Sequence, residues 1–309
     1  MPTLVKGLRG HRVVRVSAGL NHSAALTEDG RLFTWGASAH GNFGLGYALP
    51  RGAGCRTAPH PVGGALAGLR VVAVAAGFDF TLAATETGAA FSFGRSGRGR
   101  LGHGGAPAEQ GHQVLPRQIE GLRGHLVVGL AAGSGHALAL TAAGTVFAWG
   151  DDRLGQLGVE RRRGGERDVA RPRLVRTLDG TRICSVAAGE HHSCAVSDAA
   201  ELYTWGGGHE GQLGHGPDIV RCAAPRRVQA LRGVLVVGAS AGYWHTLVVA
   251  HDGRVYACGL RTATGLGVPK GAASATFASA PADDGDYMMD DEVASFWPEL
   301  VADIRVRLR

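Results

Sequence analysis

Four histidines recur at near-equal spacing: His22, His136, His192 and His245. Imidazole is the commonest metal ligand and a general base near neutral pH. A metal centre or an acid–base set is therefore the first chemistry to weigh. Each histidine, however, stands three residues after the glycine of an Ala-Gly pair, at Gly19, Gly133, Gly189 and Gly242. One histidine per repeat is spread around a ring, whereas a ligand set needs converging side chains. Such a residue is expected to satisfy backbone groups between repeats. Gly97-Arg98-Gly99-Arg100-Leu101-Gly102 matches the dinucleotide fingerprint by letters, but a Gly/Pro loop follows it where a helix is required. Asp79, Asp151 and Glu190 offer carboxylates for glycoside hydrolysis, without evident pairing. The chain contains no Gly-x-Ser-x-Gly, His-Glu-x-x-His or phosphate-loop motif. These residues support no enzymatic chemistry, and no cofactor, metal or small-molecule ligand is expected.

The elements that carry these residues repeat. Gly19, Gly77, Gly133, Gly189 and Gly242 each follow an alanine, at intervals of 53 to 58 residues. A further glycine stands 9 residues before each, another 17 after, and another 8 beyond that. Five blocks without internal insertion mean an array of one supersecondary unit. Each block opens with an apolar run (13–16, 71–74, 127–130, 183–186, 236–239) and continues through the Ala-Gly corner to a second short run. A tight turn such as Glu28-Asp29-Gly30 follows, then an aromatic run such as Phe147-Ala148-Trp149. Short β-branched and aromatic runs around Asp-Gly-type turns predict hairpins.

A fourth strand is expected to begin at Pro2, Pro61, Pro116, Pro172 and Pro225, because proline suits the first residue of an outer strand. Four antiparallel strands repeated radially make a β-propeller blade. The fold class is therefore all-β: a propeller of four-stranded blades with five recognisable repeats and a partial sixth. Residues 1–280 are expected to hold the repeats, in blocks 2–60, 61–115, 116–171, 172–224 and 225–280. Residues 281–297 read as an acidic flexible connection, and 298–309 as a closing strand or a truncated sixth repeat.

Ala132-Gly133-Ser134-Gly135-His136, Phe147-Ala148-Trp149-Gly150 and Gly155-Gln156-Leu157-Gly158 together resemble the repeats of the regulator of chromosome condensation family. The resemblance runs from Pro2 to about Gly267, with departures at Phe80 (for His), Phe93 and Cys258 (for Trp) and Phe43 (for Leu). It implies a propeller that binds proteins. It also implies an alternative, guanine-nucleotide exchange on a Ran-like small GTPase, possible association with chromatin included. The fold is shared by many proteins without that activity.

In an antiparallel blade, successive connections alternate ends. The Ala-Gly corners and the long, variable connections therefore share one face, and rigid scaffolds present such loops for binding. Partner-binding candidates on that face are the arginines Arg98, Arg100, Arg153, Arg161, Arg162 and Arg163, and the corner residues Phe78, Asp79, Glu190, Tyr243 and Trp244. One corner tryptophan, Trp244, cannot build a coupled tryptophan cluster, which argues against photoreception. The net charge is +6 with only two lysines, so arginine dominates. An acidic protein or phosphate partner and a plain solvated surface both fit that balance. The five cysteines lack metal-ligand spacing and do not make a disulfide framework. Cys184, Cys194 and Cys258 are expected in the core, and a cytoplasmic or nuclear location without membrane contact is expected.

Overall fold

The computed structural model describes residues 3–37, 40–47, 55–105, 112–160, 168–260 and 294–305. The first blade is β1 (Val13–Ala18), β2 (His22–Thr27), β3 (Leu32–Gly36) and β4 (Arg56–Pro61). The second is β5 (Val71–Ala76), β6 (Phe80–Thr85), β7 (Ala90–Gly94) and β8 (Gln113–Gln118). The third is β9 (Val127–Ala132), β10 (His136–Thr141), β11 (Val146–Asp151) and β12 (Asp168–Leu174). The fourth is β13 (Ile183–Ala188), β14 (His192–Ser197), β15 (Leu202–Gly207) and β16 (Arg221–Arg227). The fifth is β17 (Val236–Ala241), β18 (His245–Ala250), β19 (Arg254–Leu260) and β20 (Ala294–Arg305). Each blade is one antiparallel four-stranded sheet in chain order, and together they form a five-bladed β-propeller. Helical turns among the described residues are short 3-10 segments. No described helix is long and apolar enough to cross a membrane.

The inner strands β1, β5, β9, β13 and β17 pack each on the next, and the second strand of each blade packs on the inner strand of the following blade. The core lies between blades, with Trp149 and Trp205 fully buried in it.

The prolines sit differently from the sequence expectation. The fourth strand starts before Pro61, Pro116, Pro172 and Pro225 and closes the preceding block's sheet: Phe33 pairs with Pro61 and Phe147 with Leu174, while Pro2 lies outside the described residues. In β12, Arg173 faces Ala148 and Val169 faces Gly150, so residues 170–172 bulge opposite Trp149. The same three-residue bulge spans 57–59, 114–116, 223–225 and 296–298. Its last residue is Pro59, Pro116, Pro172, Pro225 or Pro298. Proline lacks an N–H, and a bulge on an outer strand is where the ladder needs none. In the first blade Pro59, not Pro61, holds this place. Pro298 lies within β20, the outer strand of the fifth blade. Ile304 and Arg305 are the last described residues of β20, and 306–309, the end of the expected closing strand or truncated sixth repeat, lie outside the described residues. The acidic connection of 281–297 is described only from residue 294 on.

Cys194 and Cys258 are buried, but Cys184 is exposed. Its register position on the inner strand is also exposed at Val14, Val128 and Val237.

The repeated glycines have two causes. Gly150 lies at φ 103°, where an L side chain is strained. Gly133 is restricted by space: a Cβ there would run into the carbonyl of Gly189 in the next blade and the ring of His136. Gly133→Val is expected to destabilise the protein by about 2–4 kcal/mol, because backbone on a neighbouring blade cannot yield. A thermal melt equal to the parent would contradict this. The turn between β14 and β15 places Ala200 at φ 60°, where Gly30, Gly88, Gly144 and Gly253 stand in the other blades. Ala200→Gly should therefore raise stability by roughly 0.5–1 kcal/mol, the left-handed penalty outweighing glycine's chain entropy. Denaturant titration reads this directly, and a lowered midpoint would oppose it.

Candidate functional site

The four-histidine set resolves into joints between blades. His22 Nε2 lies 2.8 Å from Thr81 Oγ1, His136 Nε2 2.9 Å from Ser193 Oγ, and His192 Nε2 2.9 Å from Thr246 Oγ1. Each hydroxyl belongs to the next blade. Each already donates to a backbone carbonyl of the histidine's own blade: Thr81 to Asn42, Ser193 to Gln156 and Thr246 to Gln212, all at 2.8 Å. The hydroxyl has one proton, so Nε2 must be the donor. Nδ1 of each ring lies against the corner glycine without a donor. The partners are thus hydroxyls, where the sequence suggested backbone groups. Burial lowers the pKa of His22 to about 4, with Asp79 opposing, and lowers His136 and His192 to about 3.

At two joints the carbonyl of the residue x of Gly-x-Leu-Gly takes an indole N–H from the next blade, which at Gln156 is a second bond beside the Ser193 hydroxyl. Trp149 Nε1 donates to Arg100 at 2.8 Å and Trp205 Nε1 to Gln156 at 2.9 Å. At the joint between the second and third blades both halves of the polar bridge are absent together: Phe80 replaces the histidine and Ala137 the hydroxyl residue. Losing both costs little, whereas losing one strands a buried polar group. No three His, Cys, Asp or Glu groups converge among the described residues.

The corner face holds two clusters. The first spans the second and third blades. Asp151 is buried at the end of β11 and takes Arg98 Nη1 at 2.8 Å, with Arg153 Nε 3.2 Å from either oxygen. Asp79, buried at the β5–β6 corner, faces Arg95 at 3.5 Å and His40 at 3.7 Å. Arg98 has φ 61°, a left-handed backbone in the 3-10 turn that aims its guanidinium across the blade boundary. The side chains of Arg95, Arg98 and Arg153 remain 37–46% exposed above the two carboxylates.

Arg100 does not belong to the accessible set. It is buried over the Phe80 ring and donates to the carbonyls of Gly97 and Ser134 at 2.8 and 3.0 Å. Burial, then the neighbouring Arg95, lowers its pKa to about 10. Phe78 is half-buried, and its amide donates to Gly133 of the next corner. Arg161, Arg162 and Arg163 lie outside the described residues.

The second cluster spans the fourth and fifth blades. The Tyr243 hydroxyl donates to Glu190, and burial and that carboxylate push its pKa up. Glu190 also lies 3.5 Å from His191. The Tyr243 and Trp244 rings meet edge-on at 4.7 Å, and Tyr243 is exposed. Glu190, Tyr243 and Trp244 are therefore together, apart from the arginines. Sequence reasoning did not single out Arg95 or His40, which follow the second and first blades' third strands. Both lie between the third-strand glycine and the Gly-x-Leu-Gly turn, in the fixed part of the block, where no repeat of residue type marks them.

The fold and this geometry can be set beside known proteins. A family model described as "RCC1-like domain" matches residues 1–298. The chain belongs to the RCC1-like domain family. This RCC1-like domain is 33% identical over 265 residues to human E3 ubiquitin-protein ligase HERC2, covering 84% of the chain and 5% of HERC2. It is 33% identical to the bovine secretion-regulating guanine nucleotide exchange factor, covering 80% of the chain and 52% of that protein. Its fold matches the crystal structure of Prp20p from Saccharomyces cerevisiae with TM-score 0.73 at 23% identity, covering 94% of the chain and 66% of Prp20p. The domain thus spans about half or less of these curated relatives, and the likeness to Prp20p is one of fold.

The buried histidines set an acid limit. Their folded pKa values lie below the ordinary histidine value of 6.5, so unfolded chains bind protons first as pH falls. Stability should be full above about pH 6.5 and fall progressively toward pH 3–4. Ser193→Ala alone should cost about 1–3 kcal/mol by stranding the His136 Nε2–H. The double variant His136→Phe/Ser193→Ala copies the joint of the second and third blades. It should recover most of that loss and flatten the pH dependence. Urea melts at pH 7 and pH 5 decide this, and equal pH slopes for parent and double variant would refute it.

Proposed function

We propose that this RCC1-like domain is a non-catalytic scaffold that binds a protein through its corner face. The reading is carried by the half-exposed guanidiniums of Arg95, Arg98 and Arg153, held over the buried carboxylates Asp79 and Asp151. The buried carboxylates fix the arginines at one end, and the exposed N–H groups remain for a second acceptor. With Arg100 beneath, four guanidiniums face two carboxylates, so this half of the face attracts an acidic partner surface. Tyr243 and Trp244 supply an aromatic anchor of the kind that dominates protein interfaces. The domain's ordered blades keep these groups in place before binding, which lowers the entropy cost of association.

A second reading, exchange on a small GTPase, draws on the relatives. One is a secretion-regulating guanine nucleotide exchange factor, and Prp20p is described by its binding to Gsp1p and histones. A chromatin partner enters by the same route. HERC2's ligase activity is not transferred, because the domain covers 5% of that protein.

Capture with the immobilised domain, followed by mass spectrometry, identifies partners. Arg95→Ala/Arg98→Ala leaves His40 on Asp79 and Arg153 on Asp151, so the fold should hold. The double variant should weaken binding of the captured partner about three- to tenfold at ~0.1 M salt and flatten its salt dependence. Unchanged affinity and salt slope would remove the arginines from the site. Release of mantGDP from a panel of small GTPases separates the two readings: acceleration supports exchange, and none leaves the scaffold.

A further inference from the structure

The arginine half of the corner face has surplus charge and unused donors at the same place. Arg95, Arg98, Arg100 and Arg153 stand against two carboxylates, Asp79 and Asp151. The group is contiguous, because the charges of Arg95, Asp79, Arg98 and Asp151 all act on Arg100. Two positive charges are therefore left without an internal partner.

The unused donors can be named. Arg98 gives Nη1 to Asp151, and Arg153 gives its backbone N–H and Nε to the same carboxylate. Arg98 Nε and Nη2 and both Nη groups of Arg153 have no acceptor among the described residues. Arg95 reaches Asp79 through Nη1 alone, at 3.5 Å. Asp151 is buried with both oxygens occupied, so it takes up none of these donors. It does hold the two guanidiniums beside each other in advance, which lowers the cost of binding.

The surplus selects among anions. A partner carboxylate brings one charge and two oxygens. A phosphomonoester brings about −1.5 to −2 charge and three acceptor oxygens at pH 7. It neutralises the surplus and offers one oxygen to each of the three exposed arginines, and the planar forks match it bidentately. The site is also open, with these side chains 37–46% exposed. An open site gives a free ion few contacts, whereas ligands that bind alone are enclosed. The phosphate is therefore held best when attached to a larger molecule that adds contacts on the same face.

Taking the corner face as the binding surface, we infer that Arg98 and Arg153, with Arg95 beside them, recognise a phosphoserine or phosphothreonine side chain of the protein partner.

Beads carrying degenerate peptide libraries with a fixed central phosphoserine, glutamate or serine test this on the full chain. Retention on phosphoserine should exceed that on glutamate by about tenfold, and inorganic phosphate should displace the bound protein. Arg98→Lys/Arg153→Lys keeps the net charge and a cation for Asp151 but removes the planar forks. It should lower phosphoserine retention about fivefold and leave glutamate retention unchanged. Arg95→Lys/Arg153→Lys replaces it if the first pair melts early. Phosphatase treatment of a captured partner should abolish rebinding. Equal retention on phosphoserine and glutamate, no retention on any library, or phosphoserine retention untouched by the lysine pair would each overturn the inference. Inorganic phosphate that shifts the Arg98 Nε–H NMR signal without retention on phosphoserine would assign the site to a free ion and overturn it equally. Rebinding that survives phosphatase yet still needs Arg95 and Arg98 would overturn it while leaving the acidic-surface reading in place.

Discussion

A single backbone carbonyl per blade organises this molecule. The residue x of each Gly-x-Leu-Gly turn (Asn42, Arg100, Gln156, Gln212) points its carbonyl into the following blade. There it accepts a hydroxyl, an indole N–H or both. A buried carbonyl left unpaired is costly, so the next blade's second and third strands must place their donors within reach. That requirement fixes the approach of neighbouring sheets. It explains why the corner must be glycine: His136 can reach Ser193 only if its ring lies where a Cβ at Gly133 would stand. It also fixes Nε2 as the donating nitrogen, because the hydroxyl's only proton is committed to the carbonyl. The joint is a chain of three groups with one permitted direction of donation.

Much of this was legible in the sequence, because the joint demands particular residues at fixed spacing. The four glycine registers, the corner histidines and the aromatic-x-Trp runs gave the five blades and their strand order. The substitution of Phe80 was visible as a departure. Its partner Ala137 was not, because nothing in one sequence says that the hydroxyl position pairs with the histidine of the preceding repeat. The prolines were assigned to strand starts because proline lacks a donor. The same property also suits a bulge, and only the pairing of Ala148 with Arg173 and Gly150 with Val169 distinguishes the two. Cys184 is expected in the core because valine fills its slot in the other repeats, but on the inner strand that register position is exposed in most blades.

The candidate site was legible in outline only. Topology correctly put the corners and long connections on one end of the blades, but charge alone could not separate surface arginines from structural ones. Arg98 and Arg100 are two residues apart. The first reaches Asp151 at the surface, and the second turns inward over Phe80, filling space beside a joint that has no polar bridge. Asp151 was noted as a carboxylate without a pair. Its actual partners are Arg98, 53 residues earlier, and Arg153, two residues later. The first arises from the closure of one blade on another, which a spacing argument within a repeat does not reveal. The separation of an arginine half from a Glu190–Tyr243–Trp244 half has the same origin.

The claim that donation to one carbonyl per blade holds neighbouring blades together is tested most directly at the indoles. Hydrogen exchange of the Trp149 and Trp205 Nε1–H groups can be followed by NMR, with Trp→Phe variants assigning the signals. The account predicts that both exchange only through opening of the blade joint, with protection close to that of the central-strand amides of β10 and β14. Exchange at the rate of a solvent-exposed indole, while those amides stay protected, would contradict it.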